Sequence, residues 1–163
     1  MSFYKIVVAL DDSTLSKAVF AQALALAQST SASLLLFSGV SDAVLVQPPN
    51  LPAEVGLLAP DTMSGTYLAQ QPSLEAHKEA VKALLQQYSE TARQAGVHFE
   101  TTLEVGDIEA LLCVTAQAWG ADLIVVGRRG RKGLSEALLG SVSNYAVHNA
   151  HCSVLVVQGE AAP

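Results

Sequence analysis

The chain is short of charge, of aromatic rings and of cysteine. Only 15% of its 163 residues are charged and 6% aromatic, with a single Trp. Its two cysteines, Cys113 and Cys152, are too few for a disulfide framework, and a reduced, cytoplasmic setting is the expectation. No apolar run approaches the roughly 18–20 residues needed to cross a bilayer, so no membrane partner is expected. The opening MSFYKIVVALDD reaches two Asp after one Lys and has no long apolar run or small-residue cleavage site, so no signal peptide is read. Basic residues are scarce too: nine Lys and Arg stand against fifteen Asp and Glu, for a formal net charge of −6. Phosphate contacts along a nucleic acid need an extended basic surface, and this balance excludes a general nucleic-acid binder.

Half of the residues are hydrophobic, enough at this length for one domain with a sizeable core. KIVVAL (5–10) is a short β-branched run that stops at DDS, as a strand covered on both faces does. Residues 14–30 are rich in Ala and Leu and form a helix capped by Asp12 or Ser13. ASLLLFSGV (32–40) is a second buried strand. Residues 41–73 hold five of the six prolines and read as a long loop, functional or mobile, inside the domain. A helix opens near Ser73, carries apolar residues at three- and four-residue spacing from Leu74 to Ala95, and stops at Gly96. Residues 97–105 alternate like a strand near a sheet edge. Asp107 caps a helix that ends at Gly120, DLIVVG (122–127) is a fourth strand, a helix runs from about Ser141 to Asn149, and SVLVVQ (153–158) is a fifth strand. Strands alternating with helices predict a parallel sheet with helices on both faces. The domain spans 1–159, and residues 160–163 fray.

VVGRRGRKGLSEALLGSVSN (125–144) concentrates four of the nine cations and four of the eleven glycines. Glycine lets backbone N–H groups approach a phosphate with no Cβ in the way. Gly140-Ser141 then opens a helix, whose first N–H groups and partial positive charge hold an anion. In open α/β sheets ligands bind beyond the strand ends where strand order reverses, which here brings Asp11 and the stretch after Gly127 together if their strands are neighbours. No G-x4-G-K-[ST] loop occurs and no G-x-G-x-x-G, so the spacing Gly127-x2-Gly130-x9-Gly140-Ser141 belongs to neither of those phosphate-binding loops.

That spacing resembles the signature of the ATP-binding branch of the universal stress proteins. KIVVALDDS, VGDIEALLCVTAQAWGADLIVVGRRG and LLGSVSNYAVHNAHCSVLVV are similar to the family's first strand, its Gly-Asp helix start and strand entry, and its closing helix and strand. The resemblance implies a Rossmann-like (adenine nucleotide alpha hydrolase-like) domain with a five-stranded sheet of order 3-2-1-4-5. It implies adenine near Asp11 and Val40, and ribose and phosphates on Val126, Gly127, Gly130, Gly140, Ser141, Val142 and Ser143. Arg129 joins this set as a candidate phosphate contact. The resemblance also implies a homodimer in which the fifth strands pair antiparallel. An apolar strand 153–158 would otherwise be an exposed edge. Gly39 departs from the pattern, since many relatives have His there, as do the adjacent arginines and the long loop 41–73.

Bland readings compete with each of these. One of Asp11 and Asp12 suffices as a helix cap, so Asp11 is assigned to the ligand. His148-x2-His151-Cys152 lies near a helix end that favours an imidazolium, and a zinc site wants four ligands, so no metal is assigned to it. Magnesium is expected only as carried by the phosphates. Trp119 and Tyr88 read as core. Rapid phosphoryl transfer needs a positioned base, and Glu136 is the only carboxylate in the glycine stretch, so no catalytic residue is assigned. The motifs S-G-G-x-D-S, H-x-G-H and K-M-S-K-S of nucleotidyl-transferring enzymes are absent. The expectation is an ATP-binding regulatory protein of a stress response with an unidentified protein partner. The alternatives are slow ATP hydrolysis or nucleotidyl transfer, an AMP, ADP or cyclic-nucleotide ligand, and a ligand-free dimeric interaction protein.

Overall fold

The structure is a computed structural model. It describes residues 3–41, 63–128 and 139–159, with the side chains of the second segment from residue 74 onward. Strands and helices alternate: β1 (Lys5–Ala9), α1 (Leu15–Thr30), β2 (Ser33–Ser41), α2 (Met63–Gln94), β3 (Phe99–Gly106), α3 (Ile108–Trp119), β4 (Leu123–Gly127), α4 (Ser141–Asn149) and β5 (Ser153–Val157). The strands form one sheet in the order β3-β2-β1-β4-β5, with every pairing parallel. Val7, in the central strand, stands opposite Leu35 on one side and Ile124 on the other. The chain leaves β1 toward β2 and later returns to β1's other side as β4, so strand order reverses between β1 and β4.

Both faces of the sheet are covered. Ile6, Val8, Leu34, Leu36 and Val125 pack under Val19 and Phe20 of α1 and Leu85 and Tyr88 of α2. Val7, Leu35, Phe37, Ile124 and Val126 pack against Leu112 and Ala116 of α3 and Ala146 of α4. This is why the central strands are continuous apolar runs: neither face meets water. Each aliphatic side chain so buried contributes about 1.5–3 kcal/mol. The outer strands are less covered: β3 is mostly exposed or half-buried, and Val154, Leu155 and Val156 of β5 are half-buried.

Local chemistry sets the helix ends. The Asp107 carboxylate accepts the Ala110 N–H at 3.2 Å, and α3 ends on Gly120 at φ 74°. The left-handed conformation at Gly120 and at Gly96 (φ 70°) favours glycine. Two expectations are corrected. The N-cap position of α1 is Thr14, with no side-chain cap bond, because the Asp11 carboxylate gathers Ser13 into a turn ahead of the helix. Helix α2 starts at Met63, ten residues before Ser73, so Pro72 lies inside it. An interior proline removes one ladder bond, at about 3 kcal/mol, and a helix of 32 residues carries that local loss. The rest of the proline-rich stretch, 42–62, and residues 160–163 lie outside the described residues. Among the described residues no helix is long and apolar enough to cross a membrane.

At the N-terminal ends of the strands a polar network ties the layers together. The Asp122 carboxylate accepts the Tyr4 N–H at 2.8 Å. Lys5 Nζ donates to the Trp119 carbonyl at 2.8 Å and lies 4.8 Å from the centre of its ring, and Trp119 Nε1 donates to Glu100 at 3.0 Å. That end of the sheet is braced, and the opposite end is open.

Candidate functional site

A cleft opens over the C-terminal ends of β1, β2 and β4 and the first turns of α1, α3 and α4. One end of the cleft is the start of α4. Gly140 is the N-cap, with extended backbone (φ −65°, ψ 162°), and the first ladder bond runs from the Asn144 N–H to its carbonyl at 2.8 Å. The N–H groups of Ser141, Val142 and Ser143 therefore have no acceptor among the described residues, and all three residues line the cleft. Three adjacent donors at a helix N-terminus attract an anion.

Hydrogen bonds hold this end in place. The Gly140 N–H donates to the Arg128 carbonyl at 2.6 Å, and the Arg128 N–H donates to the Val157 carbonyl at 2.8 Å. Ser143 is 1% exposed, and its hydroxyl lies 3.1 Å from the Arg128 carbonyl and 3.0 Å from that of Gly140. The Ser143 hydroxyl, with one proton for two carbonyl acceptors, serves as a tie at the ends of the glycine stretch, and its backbone N–H belongs to the first turn of α4. Gly127 stands at a close approach: a Cβ there would lie 2.9 Å from Leu15 Cδ2, so Leu15 would have to shift. Its bare backbone lets α1 lie against the end of β4.

The opposite end is built on Asp11. Asp11 Oδ1 accepts the Ser13 N–H at 2.9 Å and the hydroxyls of Ser13 and Ser16 at 2.5 and 2.6 Å. The Asp11 N–H in turn donates to Ser16 Oγ at 2.9 Å. These bonds fix the carboxylate and leave Oδ2 without a partner among the described residues, available to a ligand's donor. Burial, aided by the Asp11 charge, raises the Tyr88 phenol above its usual range and keeps it protonated. Burial likewise raises both cysteine thiols, which are held as thiols in the α3/α4 layer.

The cleft thus brings together Asp11, Val126, Gly127, Gly140, Ser141, Val142 and Ser143. Val40 does not line it: its side chain is 4% exposed in the core beneath α1 and α2, and β2 offers Phe37, Ser38 and Gly39 instead. Arg129 and Gly130 lie outside the described residues. Ser38 and Ile108 are cleft residues the sequence did not single out, because each sits within an apolar pattern that reads as packing. The His148–Cys152 segment forms no three-group cluster with metal-ligating chemistry among the described residues, and His151 Nε2 lies 3.1 Å from the Ala121 carbonyl.

Sheet order and cleft define an open, Rossmann-like α/β protein with a cleft at its switch point. The model of the universal stress protein family matches residues 2–158, and the chain belongs to that family. It is 36% identical over 158 residues to universal stress protein Sll1388 of Synechocystis sp. (strain ATCC 27184 / PCC 6803 / Kazusa), covering 97% of this chain and 99% of that one. Three solved structures share the fold. MJ0577, described as a hypothetical protein given a structure-based functional assignment, superposes with TM-score 0.82 at 18% identity, covering 99% of this chain and 100% of that one. A universal stress protein in complex with cAMP has TM-score 0.66 at 21% identity, covering 97% and 98%. The family protein At3g01520 of Arabidopsis thaliana, with AMP bound, has TM-score 0.62 at 20% identity, covering 97% and 93%.

Proposed function

We propose that this universal stress protein binds an adenine nucleotide, with ATP preferred, and that its nucleotide state regulates contact with a partner protein during stress. One observation carries the reading. Three consecutive N–H groups, those of Ser141 to Ser143, have no acceptor among the described residues and stand at one end of a cleft whose other end holds the fixed carboxylate of Asp11. An anion at α4 and a donor-bearing group at Asp11 are the two ends of a nucleotide. The fold-sharing proteins in complex with cAMP and with AMP support the same chemistry.

In this reading the phosphates lie on the start of α4, with Gly130 and Arg129 contributing from the glycine stretch and Mg2+ arriving with the phosphates. The ribose lies over Val126 and Gly127. No base or nucleophile is assigned, and binding rather than turnover is the function. The molecule is a homodimer through β5, and the nucleotide shifts the population of surfaces it offers its partner.

Calorimetric titration of the nucleotide-stripped protein with ATP, AMP and cAMP, each with and without Mg2+, tests the reading. ATP is expected to bind best, with affinity falling as phosphates are removed. Absence of binding to all three would overturn it.

A further inference from the structure

We propose that the free edge of β3 is a docking site for an extended segment of a partner protein, basic on one face and apolar on the other, which adds to the five-stranded sheet as a further strand. The inference names the kind of partner that the proposed function leaves open, and it does not depend on the nucleotide.

Sheet order gives β3 a neighbour on one side only, and all eight of its residues are in register with β2. The Leu34 N–H donates to the His98 carbonyl at 2.9 Å, and the Glu104 carbonyl oxygen also lies toward β2, 2.9 Å from where a Gly39 Cβ would be. Even-numbered residues therefore bond inward. The N–H and C=O groups of Phe99, Thr101, Leu103 and Val105 point outward along the edge and have no partner among the described residues. That row runs for about 20 Å at ordinary strand rise and is a template for an added strand.

Side chains decide which strand fits. Glu100 accepts the Trp119 Nε1–H at 3.0 Å and Glu104 accepts the Thr102 hydroxyl at 2.9 Å, so alternation sets both carboxylates on the α3 face. Neither has an ion pair among the described residues. The cations near the edge are engaged otherwise: Lys5 by the carbonyl and ring of Trp119, and Arg93 by Glu90 and the ring of Phe99. On the opposite face Phe99 and Leu103 pack toward the core and Val105 is 37% exposed. A strand with Lys or Arg at positions i and i+4 would set them against Glu100 and Glu104, about 13 Å apart, while apolar residues between them extend the face of Leu103 and Val105. A second copy does not fit. Two β3 edges would bring carboxylate against carboxylate, and β5 (Ser153–Val157) has no cation to offer. Charge that keeps like edges apart thus leaves this ladder open to the opposite charge.

The test uses the full chain and a fluorescein-labelled peptide of sequence TVKVTVKVT, with binding read by anisotropy and amide hydrogen exchange of the chain read by NMR. In the free chain the N–H groups of Thr101, Leu103 and Val105 are expected to exchange fast and those of Thr102 and Glu104 slowly. Bound peptide is expected to slow the first set by at least about tenfold. A peptide with Glu in place of Lys is expected to bind at least about tenfold more weakly. Of two basic peptides N-methylated at alternate residues, one at the valines and one at the others, one is expected to lose binding by the same factor, because methylation on that side blocks the ladder. The chain with Glu100→Lys and Glu104→Lys is expected to lose the basic peptide and to gain the acidic one. No binding of the basic peptide, binding that neither methylation weakens, or slow exchange of Thr101, Leu103 and Val105 in the free chain would each overturn the proposal. The peptide and exchange arms use wild type alone, so they decide even if the double variant does not fold, and the nucleotide reading stands or falls by its own titration.

Discussion

At Gly39 a missing side chain makes room for a neighbour. A Cβ there would meet Ile108 Cδ1 at 2.3 Å and the Glu104 carbonyl oxygen at 2.9 Å. The first contact can yield, because it is the tip of a side chain, but the second is backbone of the paired strand β3. Gly39→Ala is therefore expected to destabilise the fold by about 1–3 kcal/mol in urea unfolding. Adding Ile108→Ala should recover part of that loss, a coupling of at least about 0.5 kcal/mol between contacting positions. Strict additivity would mean that the Glu104 backbone alone sets the cost. The glycine itself was visible in the sequence. Its reason, the inward placement of Ile108 from the first turn of α3, was not, because residues 69 positions apart show no mutual distance along a chain.

The two helices that start at the cleft side of the sheet, α3 and α4, are opened by different chemistry and should respond differently. Asp107 caps α3 through the Ala110 N–H, whereas the Ser143 hydroxyl ties the Arg128 and Gly140 carbonyls at the start of α4. Asp107→Ala and Ser143→Ala are each expected to cost about 1 kcal/mol of stability. Only Ser143→Ala should also weaken ATP, by about threefold to tenfold, since only it loosens the placement of the α4 N–H groups. Equal ATP affinity in the two variants would mean that the tie at Ser143 serves stability alone. Capping of α3, the glycine stop at Gly120 and the opening of α4 after Gly140 were all legible, since each is written in adjacent residues. The start of α2 was not: Pro72 argues locally for a break, while the helix ladder on both sides of it outweighs one missing donor. The Asp11 turn was misread in the same way, as a cap at Asp12 or Ser13, because serines two and five positions later compete for its carboxylate.

For the whole molecule, the half-buried apolar strand β5 closes one side of the sheet with a ladder edge that has no partner among the described residues. The homodimer proposed above covers it. Sedimentation is expected to report twice the chain mass. Val154→Lys, which puts a charge on the edge, should raise the dimer dissociation constant by at least about tenfold with the nucleotide cleft intact. A wild-type monomer at micromolar concentration would remove β5 pairing from the account.

The sequence by itself determined the alternation of strand and helix, the covered sheet and the opening of α4 after Gly140. Each of these depends on local pattern: apolar runs, caps and bare glycines act within a few residues of where they stand. Only the tertiary structure decided that Asp11 and the start of α4 line one cleft, that the side chain of Val40 turns into the core, and that the Ser143 hydroxyl is turned to backbone carbonyls. Those outcomes depend on which strands become neighbours and which face each residue takes, and burial then fixes which polar groups still need a partner.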